Sequence, residues 1–270
     1  MDGAADRIGI IGAGRLGAML ARAFARFRPG ETLHLATRDA GVAAALATAL
    51  PPVRLLAARE LAGACDLVLL AIPPQTYRAV IRAIAPDLRP GAILVSLTNG
   101  IGLEALAHET TAPIVKVIPT MAHAEGRGIA LVIAGPGAAP AHVERVRACF
   151  SAIATPVVIA DADSRAASNI AGSALAFVAR FAEGLVDAHT ERLTGIAPAA
   201  LTAMMAETLI AVGTLAQAGH SFADIVATTA TPGGVTEAGL AVLDAPLPAL
   251  AATMVDATYA RQRAMQTQQT

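Results

Sequence analysis

Three groups of residues have the types and spacing to do chemistry. The first is Gly12-Ala13-Gly14-Arg15-Leu16-Gly17, set between the apolar run Ile8–Ile11 and an alanine-rich stretch of helical character. Gly12 lets the chain turn tightly off a strand, Gly14 lacks the Cβ that would hold a pyrophosphate off the backbone, and Gly17 lets the helix pack close to the strand. The helix N-terminus then presents its N–H groups and dipole to phosphates, so the segment is expected to cradle a dinucleotide. A glycine turn without ligand is the alternative. The second group is Ala36-Thr37-Arg38-Asp39, roughly 20 residues further on, where the adenosine ribose of a dinucleotide is read. Thr37 can hydrogen-bond a 2′-phosphate and Arg38 can clamp it bidentately, which favours NADP. Asp39 leaves NAD open, and Arg38 pairing weakly with Asp39 on a solvated loop is the alternative. The third group is Thr231-Pro232-Gly233-Gly234-Val235-Thr236. Proline followed by two glycines sets a turn whose N–H groups can converge on an anion, and Thr231 adds a hydroxyl donor. A plain connection between helices is the other reading.

The remaining polar residues narrow the chemistry. Lys116 is the one lysine of 270 residues, and it falls in the strand-like run Ile114–Ile118, where a structural or solvated role is expected. Reduction of a ketone needs an acid beside the developing alkoxide, commonly a lysine. An imine reaches the site protonated or nearly so, and positioning with one hydroxyl donor can suffice. His123, in the loop after that run, could donate a proton. His34, His108, His142, His189 and His220 show no metal-ligand spacing, and no metal is expected. Glu183 lies among Phe177, Phe181 and Leu185 on an apolar helix, where a carboxylate needs a partner.

These groups must be positioned by a frame that the periodicity predicts. Strand-like runs at Ile8–Ile11, Thr32–Ala36, Asp66–Ile72, Ala92–Leu97, Ile114–Ile118, Ile129–Ile133 and Val157–Ile159 alternate with amphipathic segments, among them Gly17–Phe27, Gly41–Leu50 and Gln75–Ile84. Such alternation predicts a mostly parallel, helix-covered sheet, an α/β N-terminal Rossmann domain over residues 1–161. From residue 162 the chain is alanine-rich with Leu, Val, Phe and Met at threes and fours, over 163–190, 198–219 and 247–268, so residues 162–270 are expected to be all helix. Alanine-dense faces pack closely but supply little bulk for an isolated core, which points to a helical dimerisation domain.

Composition sets the remaining bounds. A net charge of −1 with no basic run gives no reason to expect nucleic acid or an anionic membrane. Cys65 and Cys149 stand far apart without framework spacing, and the first six residues lack a leader pattern. A reduced, cytoplasmic setting is expected, with a small-molecule partner and no membrane span.

Thr231-Pro232-Gly233-Gly234-Val235-Thr236-Glu237-Ala238-Gly239-Leu240 resembles the SPGGTT-x-AGL signature of pyrroline-5-carboxylate reductases, and the similarity runs along the whole chain. Ala71-Ile72-Pro73-Pro74-Gln75 is similar to the family's AVKPQ, Ser96–Ile101 to SIAAGI, Ile118-Pro119-Thr120 to MPN, and Ala171–Phe177 to SGSGPAY. The resemblance implies NADPH-dependent reduction of a cyclic imine carboxylate to proline. It also implies an interleaved helical homodimer, with the active site between the nucleotide domain and helices of both chains, and leaves room for a larger ring of dimers. Carried over by position, Thr236 is the catalytic hydroxyl at the imine nitrogen, and Thr231, Gly233, Gly234 and Thr120 bind substrate. Gly12 to Gly17, Thr37, Arg38, Ala71, Ile72, Pro73, Thr98 and Asn99 bind the cofactor.

The departures are also informative. The family's asparagine after Pro119 is Thr120, its lysine is Pro73, its paired alanines are Thr98-Asn99, and a cofactor-contacting asparagine is Ala58. Ala171, Ala174 and Leu175 replace polar, glycine and proline positions, removing a hydroxyl and backbone freedom from the substrate side. Two other functions therefore stay open: a noncatalytic or altered-specificity relative that binds NADP and acts as a dimeric regulatory protein, and a carbonyl reductase using His123.

Overall fold

The computed structural model describes residues 6–50 and 52–267, with side chains given through residue 265. The leader expectation at residues 1–5 and residue 268 of the last helical stretch lie outside the described residues. The chain divides into two compact units: one runs to Gly172 and takes in the chain from Arg261 onward, and the other is Ser173–Ala260.

The first unit is built on an eight-stranded sheet of order β3-β2-β1-β4-β5-β6-β7-β8. The strands are β1 Ile8–Ile11, β2 Leu33–Ala36, β3 Val53–Leu55, β4 Leu67–Leu70, β5 Ile93–Ser96, β6 Ile114–Ile118, β7 Ile129–Ala134 and β8 Thr155–Val158. All pairings are parallel except β6 with β7, where Lys116 lies opposite Ile133. β1 and β4 are apolar on both faces because helices cover both, as a parallel sheet requires. On one face Ile8, Ile10, Leu67 and Leu69 pack under α1 (Arg15–Phe27). On the other, Ile11, Val68 and Leu70 meet α3 (Ala58–Ala64), α4 (Tyr77–Ile84) and α5 (Leu103–Ala107). α2 (Ala40–Ala49) follows β2, and α6 (Pro140–Phe150) lies on the α1 side, where Phe24 and Phe150 meet edge to face at 5.6 Å.

β3, α3, α5 and α6 are additions to the predicted elements. β3 is three residues long with Arg54 and Leu55 exposed, and α3 is seven residues long, both too short for a periodic signal. α6 opens on Pro140, which is compatible with a first helical turn but reads in isolation as a breaker.

β8 leads to α7 (Ser164–Ser168) and then to a wide helical turn, Asn169–Ser173, with bonding one residue longer than in an α-helix. Such turns concentrate at functional sites, and this one falls on the segment that resembles SGSGPAY.

The second unit is helical: α8 (Ala174–Thr190), α9 (Pro198–Gln217), α10 (Phe222–Thr229), α11 (Val235–Asp244) and the larger part of α12 (Leu247–Thr267). Among its described residues Ala182 alone is a buried hydrophobic, while Phe181, Ile210, Phe222 and Val242 are more than half exposed. Two helical runs, Asp161–Thr190 and Pro198–Gln217, are long and apolar enough by composition to cross a membrane. Arg180 and Glu183 lie within the first of them and pair with each other one turn apart on the exposed surface.

Candidate active site

A cavity of about 570 Å³ opens at the C-terminal ends of β1, β2 and β4. Gly12, Ala13 and Gly14 form one wall, Thr37 and Arg38 a second, and Ala71, Ile72 and Pro73 a third. Crevices of this kind, outside the carboxyl ends of parallel strands, are where doubly wound sheets bind nucleotides. The three glycines have separate roles. Gly12 has φ +104°, and a Cβ there would stand 2.3 Å from the Ala71 carbonyl oxygen. A Cβ on Gly17 would stand 1.9 Å from the Gly12 carbonyl oxygen, so this glycine sets the approach of helix to loop. A Cβ on Gly14 would meet nothing within 4 Å, because it would project into open space at the N-terminus of α1. The loop is thus open where a pyrophosphate must approach the backbone and closed where protein packs on protein. The residues present fit a dinucleotide.

The second wall carries the nucleotide discrimination. Asp39 lines the cavity too, and its carboxylate caps α2, accepting the Val42 N–H at 3.0 Å. Among the described residues Arg38 has no ion-pair or hydrogen-bond partner, so the expected alternative, a pair with Asp39, is not formed. Thr37 accepts the Asp39 N–H at 3.3 Å through its hydroxyl oxygen, which leaves the hydroxyl proton available to a ligand. Two donors, Thr37 and Arg38, therefore line the cavity after β2, and the acid beside them is engaged in the cap of α2.

Arg15, Leu16 and Gly17 belong to α1 and do not line the cavity, and neither do Thr98 and Asn99 beyond β5. The Thr98 hydroxyl accepts the Gly100 N–H at 3.1 Å. Leu56, Ala57, Thr76, Ala79 and Val80 also line it, as does Ala58, which stands where the resemblance places a cofactor-contacting asparagine. Val80 carries helical spacing in the sequence, which marks a face but cannot say whether it meets core or cavity.

Lys116 is buried on β6, and its ammonium donates to Asp161 at 2.7 Å. It is neither solvated nor part of the cavity wall. His123 departs from its expected role. Its ring is fully buried. The Thr120 N–H donates to Nε2 at 3.1 Å, which requires Nε2 to be unprotonated, so Nδ1 carries the proton and donates to the Arg127 carbonyl at 2.9 Å. Burial holds this imidazole below its ordinary value, outweighing the Arg127 hydrogen bond that raises it. Both nitrogens are committed to the backbone, and the ring has no proton to give. Thr120 caps the same turn. Its hydroxyl oxygen is buried without a hydrogen bond, facing Gly128, and its methyl lies toward Gly172.

In the second unit Thr231–Gly234 forms the expected turn, with Gly233 at φ +71° and Gly234 lying under the Thr231 side chain. The glycine N–H groups are not free, however. Gly234 N–H donates to the Thr231 carbonyl at 2.9 Å, and Gly233 N–H donates to the Glu237 carboxylate at 2.8 Å. The open donors are the first-turn amides of α11 at Val235 and Thr236, which have no intrahelical acceptor. The hydroxyls of Thr231 and Thr236 are exposed beside them.

A mostly parallel sheet with a glycine-rich turn opening on this crevice is the frame of an NAD(P)-dependent oxidoreductase. The profile for "NADP oxidoreductase coenzyme F420-dependent" matches residues 7–100, and that for "Pyrroline-5-carboxylate reductase dimerisation" matches residues 161–265. A Bacillus subtilis protein named pyrroline-5-carboxylate reductase 3 is 27% identical over 90% of this chain and 90% of its own. A Bos taurus protein of the same name is 26% identical over 95% of this chain and 84% of its own. The crystal structure of a Plasmodium falciparum pyrroline carboxylate reductase with NADP bound aligns with a TM-score of 0.82 at 21% identity, covering 97% of this chain and 98% of that one. The chain belongs to the pyrroline-5-carboxylate reductase family, and its cofactor is NADP.

Proposed function

We propose that this protein reduces a cyclic imine carboxylate, 1-pyrroline-5-carboxylate, to proline with NADPH. The observation that carries the reading is the first turn of α11: two exposed threonine hydroxyls flank two unbonded amides, on the segment that matches the family's signature. When bound, NADPH supplies hydride to the imine carbon, and the charge of the protonated C=N is discharged at nitrogen. The chain's own part is to hold and orient. The Val235 and Thr236 amides with the Thr231 hydroxyl receive the substrate carboxylate, and the Thr236 hydroxyl fixes the ring nitrogen. Gly12–Gly14 receives the pyrophosphate, while Thr37 and Arg38 receive the 2′-phosphate. The loops after β4, β5 and β6, which carry Ala71–Pro73, Thr98-Asn99 and Thr120, are assigned to the reacting end. The exposed apolar helices of residues 173–260 are covered by a second copy of the chain, consistent with the dimerisation match. With the two thiols reduced, a cytoplasmic homodimer is the form in which we place it.

Turnover of pyrroline-5-carboxylate, followed at the nicotinamide absorbance, tests this directly. Thr236→Ala should lower kcat/KM by about 10–100-fold, the loss of one hydrogen bond to a charged group. Undiminished turnover would remove Thr236 from the site. A second reading has one observation in its favour: the Glu237 carboxylate occupies an amide of the very loop that must take an anion. On that reading the protein binds NADP and acts on an altered substrate or none, and NADPH binding without imine turnover would establish it.

A further inference from the structure

We propose that Tyr77 is a positioning residue for the cofactor cleft, a wedge that splays β4 from β5 where the cleft begins. The proposal rests on the reading of the cavity as the NADP site. β4 and β5 pair in parallel from Leu67 with Ile93 to Leu70 with Ser96, and the Ile93 N–H donates to the Asp66 carbonyl at 2.9 Å. In such a ladder the bonded positions recur at every second residue. The next rungs of this set would join Val95 to Val68 and then Leu97 to Leu70.

The last of these is not made directly. The Leu97 N–H donates instead to the Tyr77 hydroxyl oxygen at 3.1 Å, and that hydroxyl donates to the Leu70 carbonyl at 2.5 Å. One oxygen thus stands in for a rung, satisfying both backbone groups while holding the strands apart by the width of a hydroxyl. The ring is buried among Leu70, Ile81 and Ile84 on the inner side of α4. Burial pushes the phenol up to about 12, so it stays protonated and able to donate. The residues released by the wedge are the ones assigned to the cofactor: Ala71–Pro73 follows Leu70 into the cavity wall, and Thr98-Asn99 follows Leu97.

Removing the hydroxyl either lets Leu97 close on Leu70, narrowing the cleft, or strands two buried backbone groups. Both outcomes shift Ala71–Pro73, the wall that follows β4, and leave Thr37 and Arg38, at the end of β2, in place. The test is Tyr77→Phe, which keeps the ring, titrated in one preparation with NADPH and with adenosine 2′,5′-bisphosphate, a probe holding only the adenosine half. We expect NADPH affinity to fall about tenfold while the bisphosphate binds within about twofold of wild type. Because both ligands count the same folded sites, their ratio does not depend on the fraction of protein that folds. Ile81→Val serves as the control: it removes a buried methyl from the same helix without touching the bridge, so it should lower the melting temperature and leave the ratio unchanged. An unchanged ratio in Tyr77→Phe, or an equal shift in Ile81→Val, would overturn the assignment. Bisphosphate binding by the wild type separately tests whether the cavity is the NADP site.

Discussion

Gly14→Ala should separate cofactor binding from folding, because the glycine turn is crowded at two of its three positions and open at the third. An alanine at Gly12 must adopt φ +104° and place its methyl 2.3 Å from the Ala71 carbonyl oxygen. The backbone strain alone costs about 1–3 kcal/mol, and the clash with a main-chain atom adds to it. A loss above about 3 kcal/mol corresponds to a fall of roughly 10 °C in Tm for a chain of this size. At Gly14 the backbone has φ −66° and ψ −171°, which alanine adopts freely, and no atom lies within 4 Å of the new Cβ. Glycine caps a helix better than alanine, by up to about 1 kcal/mol. Alanine in turn restricts the unfolded chain by about 0.4–1 kcal/mol. The two nearly cancel, so Tm should stay within about 3 °C.

The methyl nevertheless enters the cavity, where on the proposed reading phosphate oxygens approach the Gly14 and Arg15 amides. Losing one charge-assisted hydrogen bond costs about 1.5–3 kcal/mol, so NADPH should bind about 10–100-fold more weakly. The assay pairs a thermal melt of the free protein with a fluorescence titration of NADPH, which is uncomplicated because the chain has no tryptophan. A Gly14→Ala variant that binds NADPH like wild type, or that melts alongside Gly12→Ala, would show that the open space at Gly14 is not the phosphate site.

Arg38→Ala should weaken NADPH about 10–100-fold and leave NADH within about twofold if, as proposed, the guanidinium, which has no protein partner among the described residues, receives the 2′-phosphate; Kd values for both nucleotides check this. Burial lowers the pKa of both His123 and His34. Their stabilisation is therefore complete above the unfolded value of about 6.5 and is lost as pH falls from there toward the lowered folded values. Tm should drop between pH 7.5 and 5.5, and less steeply in His123→Gln; equal slopes would contradict the buried, neutral ring. Burial pushes both Cys65 and Cys149 up to about 12, so neither should react with a thiol reagent at pH 8 until the protein unfolds. Rapid labelling of the native protein would refute their burial.

What the sequence disclosed follows how locally each feature is encoded. The first strand, the glycine turn and α1 are legible because their constraints lie within twenty residues, and the sheet because both faces of β1 and β4 are apolar. The 2′-phosphate preference was legible in part. Thr37 and Arg38 are adjacent in the chain, but the engagement of Asp39 in the cap of α2 shows only once its carboxylate is seen to accept the Val42 N–H. Roles set by distant partners were hidden. Nothing at Lys116 forecasts Asp161, forty-five residues on, and nothing at His123 says that both ring nitrogens will be consumed by Thr120 and Arg127. The Pro-Gly-Gly turn was located correctly and its free donors were not, because Glu237, one helical turn beyond, competes for the Gly233 amide. Tyr77 is the sharpest instance. Helical spacing places it on the buried face of α4, as any apolar residue would be, and its hydroxyl gains meaning only once β4 and β5 end side by side and lack a rung.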